Sequence, residues 1–372
     1  MKPVLFILNT PPPYQGTTIM NKQLMDCFSR EGIPYLHLQV EGAGDLHSLG
    51  KFSLNKIKSA LRVMRGIIRE RKKYDTAYLV MSVEGFAFYR HALFIYLLRL
   101  LGKKYILHLR GLGFRNKKGF GKRITASLFR KGQLVQHSPY NSFDISAFPV
   151  SKVSYIPNGW VDHYPAYREE VEARLGRTSD KTQVVFLSNL IADKGLFTVL
   201  EAASILQHFG PTGQKIVWNF VGKWENAETQ QRFETFVAEN GLGSSIGHVG
   251  PLFNEEKYRF LAQMDLLVFP TFYKHETWGN VILEAMMFKI PVIATNYVAI
   301  PEMVIPGVTG QLIEREDSRT LSEHIRTLHE NPTQRKKMGE TARAHYLKNF
   351  TIDRFEKSMI ELISSVNRNQ TK

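Results

Sequence analysis

The sequence is short of cysteine, of long apolar runs and, in its first half, of acidic residues, and each shortage closes off a class of protein. Cys27 is the one cysteine among 372 residues, so neither an internal disulfide nor a cysteine-ligated metal cluster can form within the chain. A reducing, cytoplasmic setting is expected. The best membrane-span candidate, residues 92–101, is broken by Arg99 and falls well short of the ~20 apolar residues a spanning helix needs. The opening run Val4 to Leu8 meets Asn9 and the prolines at 11–13 too soon for a signal peptide, and reads as a buried first strand. No transmembrane segment is expected.

Acidic residues are scarce only before residue 166. Residues 1–165 carry 25 Lys+Arg against 9 Asp+Glu, and residues 166–372 carry 24 against 25, so the whole net charge of +15 lies in the first half. Two stretches dominate, 51–73 and 115–131. In the first, Leu54, Ile57, Leu61, Met64 and Ile68 recur at three- and four-residue steps, which predicts an amphipathic helix with cations over much of the remaining face. Such a surface can be a solvated helix face, a site for anionic lipid headgroups or a phosphate-bearing acceptor at about 1 kcal/mol per cation, or a nucleic-acid site. No helix-turn-helix, zinc-finger or RNP-like aromatic pattern accompanies the charge. Charge alone leaves lipid and nucleic acid unresolved.

A length of 372 residues exceeds what one core usually fills, so two domains are expected. Apolar runs suited to buried parallel strands alternate with longer amphipathic segments in both halves, the pattern of a doubly wound α/β fold. The first half offers 4–8, 35–40, 77–81, 105–109, 134–137 and 154–156. The second offers 184–188, 216–222, 246–249, 266–270, 292–295 and 310–313. The division is expected near residue 165, with domains at 1–165 and 166–349. A terminal helix within 350–372 can pack on either one. Ligands of such sheets bind at the strands' carboxyl ends, and two facing sheets would share one cleft.

The sharpest local signal is 265–296, DLLVFPTFYKHETWGNVILEAMMFKIPVIATN. A strand runs to Pro270, a polar loop carries Glu276, Thr277, Trp278, Gly279 and Asn280, and a helix holding Glu284 follows. A helix start offers unpaired backbone N–H groups and the positive end of its dipole to an anion. Two carboxylates flanking that point could accept hydrogen bonds from sugar hydroxyls. The plain alternative is two surface glutamates.

The segment resembles the Glu-x(7)-Glu motif of family-4 glycosyltransferases and their retaining relatives of the GT-B fold, two Rossmann-like domains facing a cleft. The likeness extends through the Pro-Val-Ile-Ala-Thr strand, Ile300 to Val304 and Gly307 to Gly310. It implies that Glu276 contacts a donor sugar and Glu284 the nucleotide ribose. A second block, 185–195, is similar to the family segment whose arginine and lysine hold the donor diphosphate. Lys194 matches the lysine, whereas Asn189 stands where arginine is usual, and an amide cannot replace a guanidinium clamp. No Asp-x-Asp triplet occurs, so the metal signature of the other major glycosyltransferase fold is missing and no metal or other cofactor is expected.

In the first half, residues 13–18 resemble the family's glycine-containing loop facing the donor phosphates, with Gly16 and Thr17 as candidate contacts; a turn needing glycine for its own conformation is the alternative. Family members often place a histidine where 105–111 falls. Either His108 or Arg110 can hold that place, because a two-residue slide keeps the strand's facing, and a packed strand histidine is the third reading. Residues 156–162 match the family's Ile-Pro-Asn-Gly-Val-Asp signature, whose role is structural.

The resemblance thus implies a retaining, metal-independent transferase. It would use a nucleotide-diphosphate sugar and a glycan or lipid-linked acceptor in cell-envelope polysaccharide or lipopolysaccharide assembly, with Glu276, Lys194 and His108 as catalytic candidates and Arg110 on the acceptor side. A peripheral position at the inner membrane face through 51–73 and 115–131 is expected, and a nucleic-acid partner is not. A nucleotide-sugar epimerase or a non-catalytic nucleotide-sugar-binding protein are the other classes.

Overall fold

Strands of four to six residues, apolar and buried on both faces at the centre and more polar at the edges, form two parallel six-stranded sheets. The computed structural model describes residues 2–12, 16–40 and 54–368. Residues 13–15 of the glycine-containing loop and 51–53 of the first basic stretch lie outside the described residues. The chain divides into two compact units, Met1–Asn158 with Asp353–Lys372, and Gly159–Ile352.

Unit 1 holds strands β1 (Val4–Leu8), β2 (Tyr35–Gln39), β3 (Thr76–Val80), β4 (Lys104–His108), β5 (Gln133–Gln136) and β6 (Lys152–Tyr155), in spatial order β2-β1-β3-β4-β5-β6. Its connecting helices are α1 (Gly16–Arg30), α2 (Leu54–Arg69), α3 (Gly85–Leu100) and α4 (Gly119–Phe129). Right-handed crossovers carry α1 to one face of this sheet and α2, α3 and α4 to the other. Alternate residues of β1 serve the two faces: Phe6 packs its ring 5.0 Å from Phe28 of α1, while Leu5 and Ile7 share a core with Val63, Ile67, Ile95 and Leu128.

One expectation fails within α2. The spacing of Leu61, Met64 and Ile68 predicts the helix's apolar side there, yet Val63 and Ile67 are the residues buried on the sheet, and Leu61 and Ile68 stand exposed. Gly66 explains the rotation. A Cβ there would come within 2.6 Å of Leu38 Cδ2, so the helix makes its closest approach to β2 along the Val63, Gly66 and Ile67 side.

Unit 2 holds β7 (Thr182–Leu187), β8 (Ile216–Val221), β9 (Ile246–Gly250), β10 (Leu266–Phe269), β11 (Val292–Thr295) and β12 (Gly310–Ile313), in order β12-β11-β10-β7-β8-β9. Its helices are α5 (Arg168–Leu175), α6 (Leu196–Gln207), α7 (Pro211–Gln214), α8 (Ala227–Glu239), α9 (Asn254–Ala262), α10 (Asn280–Met287), α11 (Ile300–Met303), α12 (Ser318–Glu330) and α13 (Pro332–Asn349). The strand order reverses between β7 and β10, and at such a switch the loops leaving the two strands part in opposite directions and open a crevice.

The signature at 156–162 carries the chain into unit 2. Trp160 N–H donates to Phe350 O at 3.0 Å, and the Asp162 carboxylate receives both Nη1 and Nη2 of Arg343 at 3.0 and 2.8 Å. The terminal helix α14 (Ile352–Arg368) returns to unit 1, where Arg30 pairs with Glu356, Lys104 donates to Val366 O and Asn367 donates to Lys2 O.

Candidate functional site

Unit 2 gathers its candidate residues at the reversal between β7 and β10. The loop after β7 runs through Asn189 to Lys194, and the loop after β10 runs through Pro270 to Gly279. Three contacts knit them together. Phe272 N–H donates to Asp193 O at 2.9 Å; Gly195, at φ +85, lies so close that a Cβ would sit 2.3 Å from Pro270 O; and Lys194 Nζ reaches Glu276 Oε2 at 2.6 Å. Lys194 and Glu276 are 82 residues apart in sequence and form one ion pair, with side chains 15% and 12% exposed.

Glu276 also closes the helix that follows it. Its Oε1 accepts from Gly279 N–H at 3.1 Å, so one of the amides expected to meet an anion already holds this carboxylate. Gly279 takes φ +77 as the N-cap of α10, a conformation that a side chain at this position would strain. Thr277 and Trp278 are buried, and the Trp278 ring packs edge-on to Phe350 at 5.7 Å. Asn280 begins α10, half-buried.

Glu284 lies one turn further along α10, 3% exposed, and its Oε1 accepts from Lys257 Nζ at 2.6 Å. Burial pushes the Glu284 carboxyl above the usual carboxylate range, against the pull of Lys257. For Lys257, burial acts downward and the Glu284 carboxylate upward, and the net direction is upward. Tyr258 and Trp160 enclose the ammonium, with ring centroids 4.9 and 5.9 Å from Nζ. Lys257 is the residue that sequence reasoning missed. It sits on α9 in an ordinary charged helix, and no spacing links position 257 to 284; the pairing exists because β9 and β10 carry α9 and α10 to the same end of the sheet.

Asn189 follows β7 and is exposed, beside Gly222, where a Cβ would meet Ser188 O at 1.8 Å. The β7 and β8 loops are thereby pressed together, with a small amide where the family resemblance expects a guanidinium. Tyr273, whose ring centroid is 4.8 Å from Lys194 Nζ, contributes to the setting of that cation.

The close approach at Gly195 makes a prediction. Gly195→Ala places a methyl against a carbonyl in left-handed backbone, at a combined cost of about 2–4 kcal/mol, and should both lower the denaturant midpoint of unit 2 and reduce donor binding. Unchanged stability would show that the loops can separate without consequence.

Within unit 1, Gly16 opens α1, and Thr17 lies in its first turn with its carbonyl 3.3 Å from Arg110 Nη1, which also reaches Asn21 Oδ1 at 3.3 Å. The Arg110 side chain therefore ties the end of β4 to the start of α1. His108 corrects an expectation. It does not reach into open space: its ring is 0% exposed, Nδ1 lies 2.6 Å from Tyr78 OH, and His137 packs edge-on at 5.1 Å. This is the packed strand histidine, held neutral because burial, then Arg110 and His137, lower its pKa well below the ordinary value.

Two further imidazoles share that state. Burial, with Arg90, brings His91 down to about 3, and burial, with Arg110, brings His137 to about 3. Each folded value lies below the unfolded one, so the unfolded chain takes up protons first. Stability is complete above the ordinary histidine range and falls as the pH drops through it, by about 1.4 kcal/mol per pH unit for each imidazole. Denaturant titrations of the full chain should show that slope developing as the pH falls from about 7.5 and reaching its full value below about pH 5.5, where His137→Asn should flatten it by one proton. A slope insensitive to that substitution would mean His137 titrates freely.

Residues 167–345 match the family described as glycosyl transferases group 1. Among curated proteins, the chain is similar to a capsular polysaccharide biosynthesis glycosyltransferase, CapM, of Staphylococcus aureus, 26% identical over 166 residues. That match spans 44% of this chain and 41% of the relative, less than half the length of either. Among solved structures, a glycosyltransferase from Rickettsia africae superposes with a TM-score of 0.79 at 17% identity, over 99% of both chains. The Anabaena protein Alr3699/HepE, solved in complex with UDP and glucose, gives 0.72 at 17% identity over 98% of this chain and 100% of that one. At these identities the superpositions speak for the fold. The likeness to the group 1 glycosyl transferases lies in residues 167–345, just under half of a chain whose two parallel sheets have the GT-B glycosyltransferase fold.

Proposed function

We propose that the protein is a retaining glycosyltransferase that moves a sugar from a nucleotide-diphosphate donor to a hydroxyl of a glycan or lipid-linked acceptor in cell-envelope polysaccharide or lipopolysaccharide assembly. The observation that carries the reading is the Lys194–Glu276 pair, 2.6 Å apart at the strand-order reversal of a group 1 glycosyl transferase segment. In this reading the donor diphosphate draws Lys194 Nζ away from Glu276, and the released carboxylate accepts hydrogen bonds from the donor sugar. Glu284, kept ionised by Lys257, accepts from the ribose.

The bond from the sugar's anomeric carbon to the diphosphate oxygen breaks as the acceptor oxygen bonds to that carbon on the same face, and the acceptor proton passes to the departing phosphate oxygen. Lys194 and the start of α10 stabilise the charge left on the diphosphate, a duty that preorganised cations and helix N-termini perform well in a water-poor site. No metal is assigned a part. Retention is taken from the family resemblance of residues 265–296. The kinship with CapM and the UDP bound by Alr3699/HepE favour an envelope glycan and a uridine donor.

The acid-poor surface of unit 1 supports a peripheral site at the inner face of an anionic membrane, where such acceptors would be met. A nucleic-acid partner lacks comparable support, since the basic stretches carry none of the reading motifs that usually accompany one.

A thermal-shift panel of nucleotide-sugars, followed by mass spectrometry of products with a lipid-phosphate acceptor, tests the function. A donor that raises the melting temperature and a product heavier by one sugar residue are expected. Epimerised donor without acceptor modification would identify an epimerase, and no shift with any nucleotide-sugar would remove the donor-binding reading altogether.

A further inference from the structure

Helix α3 is apolar nearly all round, whereas a helix covering the outside of a sheet ordinarily turns a polar face to water. Its inner side, including Phe88, Ile95 and Leu98, is buried in the core of unit 1. Its outer side is Tyr89, Leu93, Tyr96 and Leu100, exposed by 46, 56, 38 and 83%. The four recur at steps of four, three and four residues and so form one continuous stripe. Apart from Gly85 at the helix start, every exposed residue of α3 belongs to it.

The neighbours of that stripe are cationic. Helix α4 lies alongside α3, joined by Arg99 Nη1 to Ser127 Oγ at 3.0 Å, and exposes Lys122 and Arg123; Lys117, in the turn before α4, places its Nζ 4.0 Å from the Phe88 ring centroid. On the other side α2 exposes Lys58, Arg62, Arg65 and Arg69, the last ion-paired with Glu70 just past the helix end, interleaved with the exposed Leu61 and Ile68. Helices α2, α3 and α4 contain no aspartate or glutamate at all.

We propose that this acid-free layer is an interfacial docking surface: the α3 stripe enters the boundary between headgroups and acyl chains of an anionic leaflet, while the α2 and α4 cations hold the headgroups. Tyrosine suits that depth, since its ring is apolar and its hydroxyl stays with water. With 16 residues, α3 extends about 24 Å, too short to cross a ~30 Å hydrocarbon core, so it lies in the surface plane. A second copy of the chain is a poor occupant, because it would bring two acid-free cationic faces together. A nucleic acid would neutralise the cations and leave the stripe in water.

The inference rests on the anionic-membrane part of the proposed function and is independent of sugar transfer. Charge attraction alone predicts binding that salt abolishes, since the Debye length falls from about 10 Å at 0.1 M to 3 Å at 1 M. An inserted stripe predicts a salt-resistant remainder. The experiment is sedimentation of the full chain with vesicles of phosphatidylcholine, with and without phosphatidylglycerol, at both salt concentrations. Leu93→Ser/Leu100→Ser should lower the partition coefficient onto anionic vesicles by about tenfold or more and remove the salt-resistant fraction, while leaving nucleotide-sugar thermal shifts unchanged.

Leu100→Trp, at a position already exposed, should retain binding and add fluorescence that brominated acyl chains quench. Equal partitioning of wild type and the double serine variant, or no quenching of the fluorescence added by Leu100→Trp, overturns the insertion. Absence of wild-type binding to anionic vesicles overturns both insertion and the membrane reading. Wild-type dimers that the serine variant dissolves into monomers, with vesicle binding unaltered, would assign the stripe to a second copy instead.

Discussion

Lys194→Ala is expected to lower the transfer rate by about 10²–10³-fold while the chain stays folded, because it removes a preorganised cation from the place where diphosphate charge would develop. The geometry gives the loss a particular form. Lys194 Nζ lies 2.6 Å from Glu276 Oε2, and Glu276 Oε1 is held by Gly279 N–H at 3.1 Å, so the two residues share one network that also starts α10. Glu276→Gln keeps an acceptor for the Gly279 amide and weakens the ion pair; it should therefore preserve the denaturation midpoint better than Glu276→Ala does. If the glutamate serves only as a cap, Glu276→Gln will retain full transfer. If it also receives the donor sugar, the rate will fall with little change in stability, and the double substitution Lys194→Met/Glu276→Gln will cost less than the sum of its parts. Initial rates of transfer and of donor hydrolysis, measured beside thermal melts, distinguish these results, and unchanged rates in Lys194→Ala would falsify the proposed role.

Lys257→Met carries the second large expectation, this time in stability. Removing one member of a buried ion pair leaves the other unpaired at a cost of about 3–5 kcal/mol, and here the survivor is Glu284, whose side chain is 4% exposed against 19% for that of the lysine. Without its cation the carboxyl, already raised by burial, would rise further and take up a proton in the folded state. The sign follows: a carboxyl whose folded pKa exceeds the unfolded one loses stability as pH rises. The deficit of Lys257→Met should thus be small in acid and grow toward neutrality. Adding Glu284→Gln to Lys257→Met should restore much of the midpoint, since the amide carries no charge to desolvate. The same single variant should weaken donor affinity, because a protonated Glu284 no longer offers the ribose an ionised acceptor. A flat pH profile for Lys257→Met would show that Glu284 finds another cation.

Much of the fold was legible in the residues because its signals are local. Each of the twelve apolar runs read as strands lies on a strand of the two sheets, with ends displaced by no more than a residue or two, because continuous Val, Ile, Leu and Phe runs bounded by turn residues have few other uses in a parallel sheet. Positions 276 and 284 were legible as a pair, since a strand, a loop and a helix start are contiguous in sequence. Which of its three readings His108 would follow, and that α2 would turn Val63 and Ile67 rather than Leu61 and Ile68 to the sheet, were not legible. Both outcomes depend on what an adjacent element presents, Tyr78 in one case and Leu38 in the other.

The sequence by itself determined the parallel α/β architecture, the concentration of positive charge before residue 166 and the identity of the acidic pair on the β10 loop and α10, because periodicity, composition and turn chemistry act over a few residues. Only the tertiary structure decided that Lys194 meets Glu276, that Lys257 neutralises Glu284, that α14 returns to unit 1 and that three acid-free helices lie side by side. Those facts are set by strand order and packing, which join residues tens to hundreds of positions apart and leave no mark in the spacing of the chain.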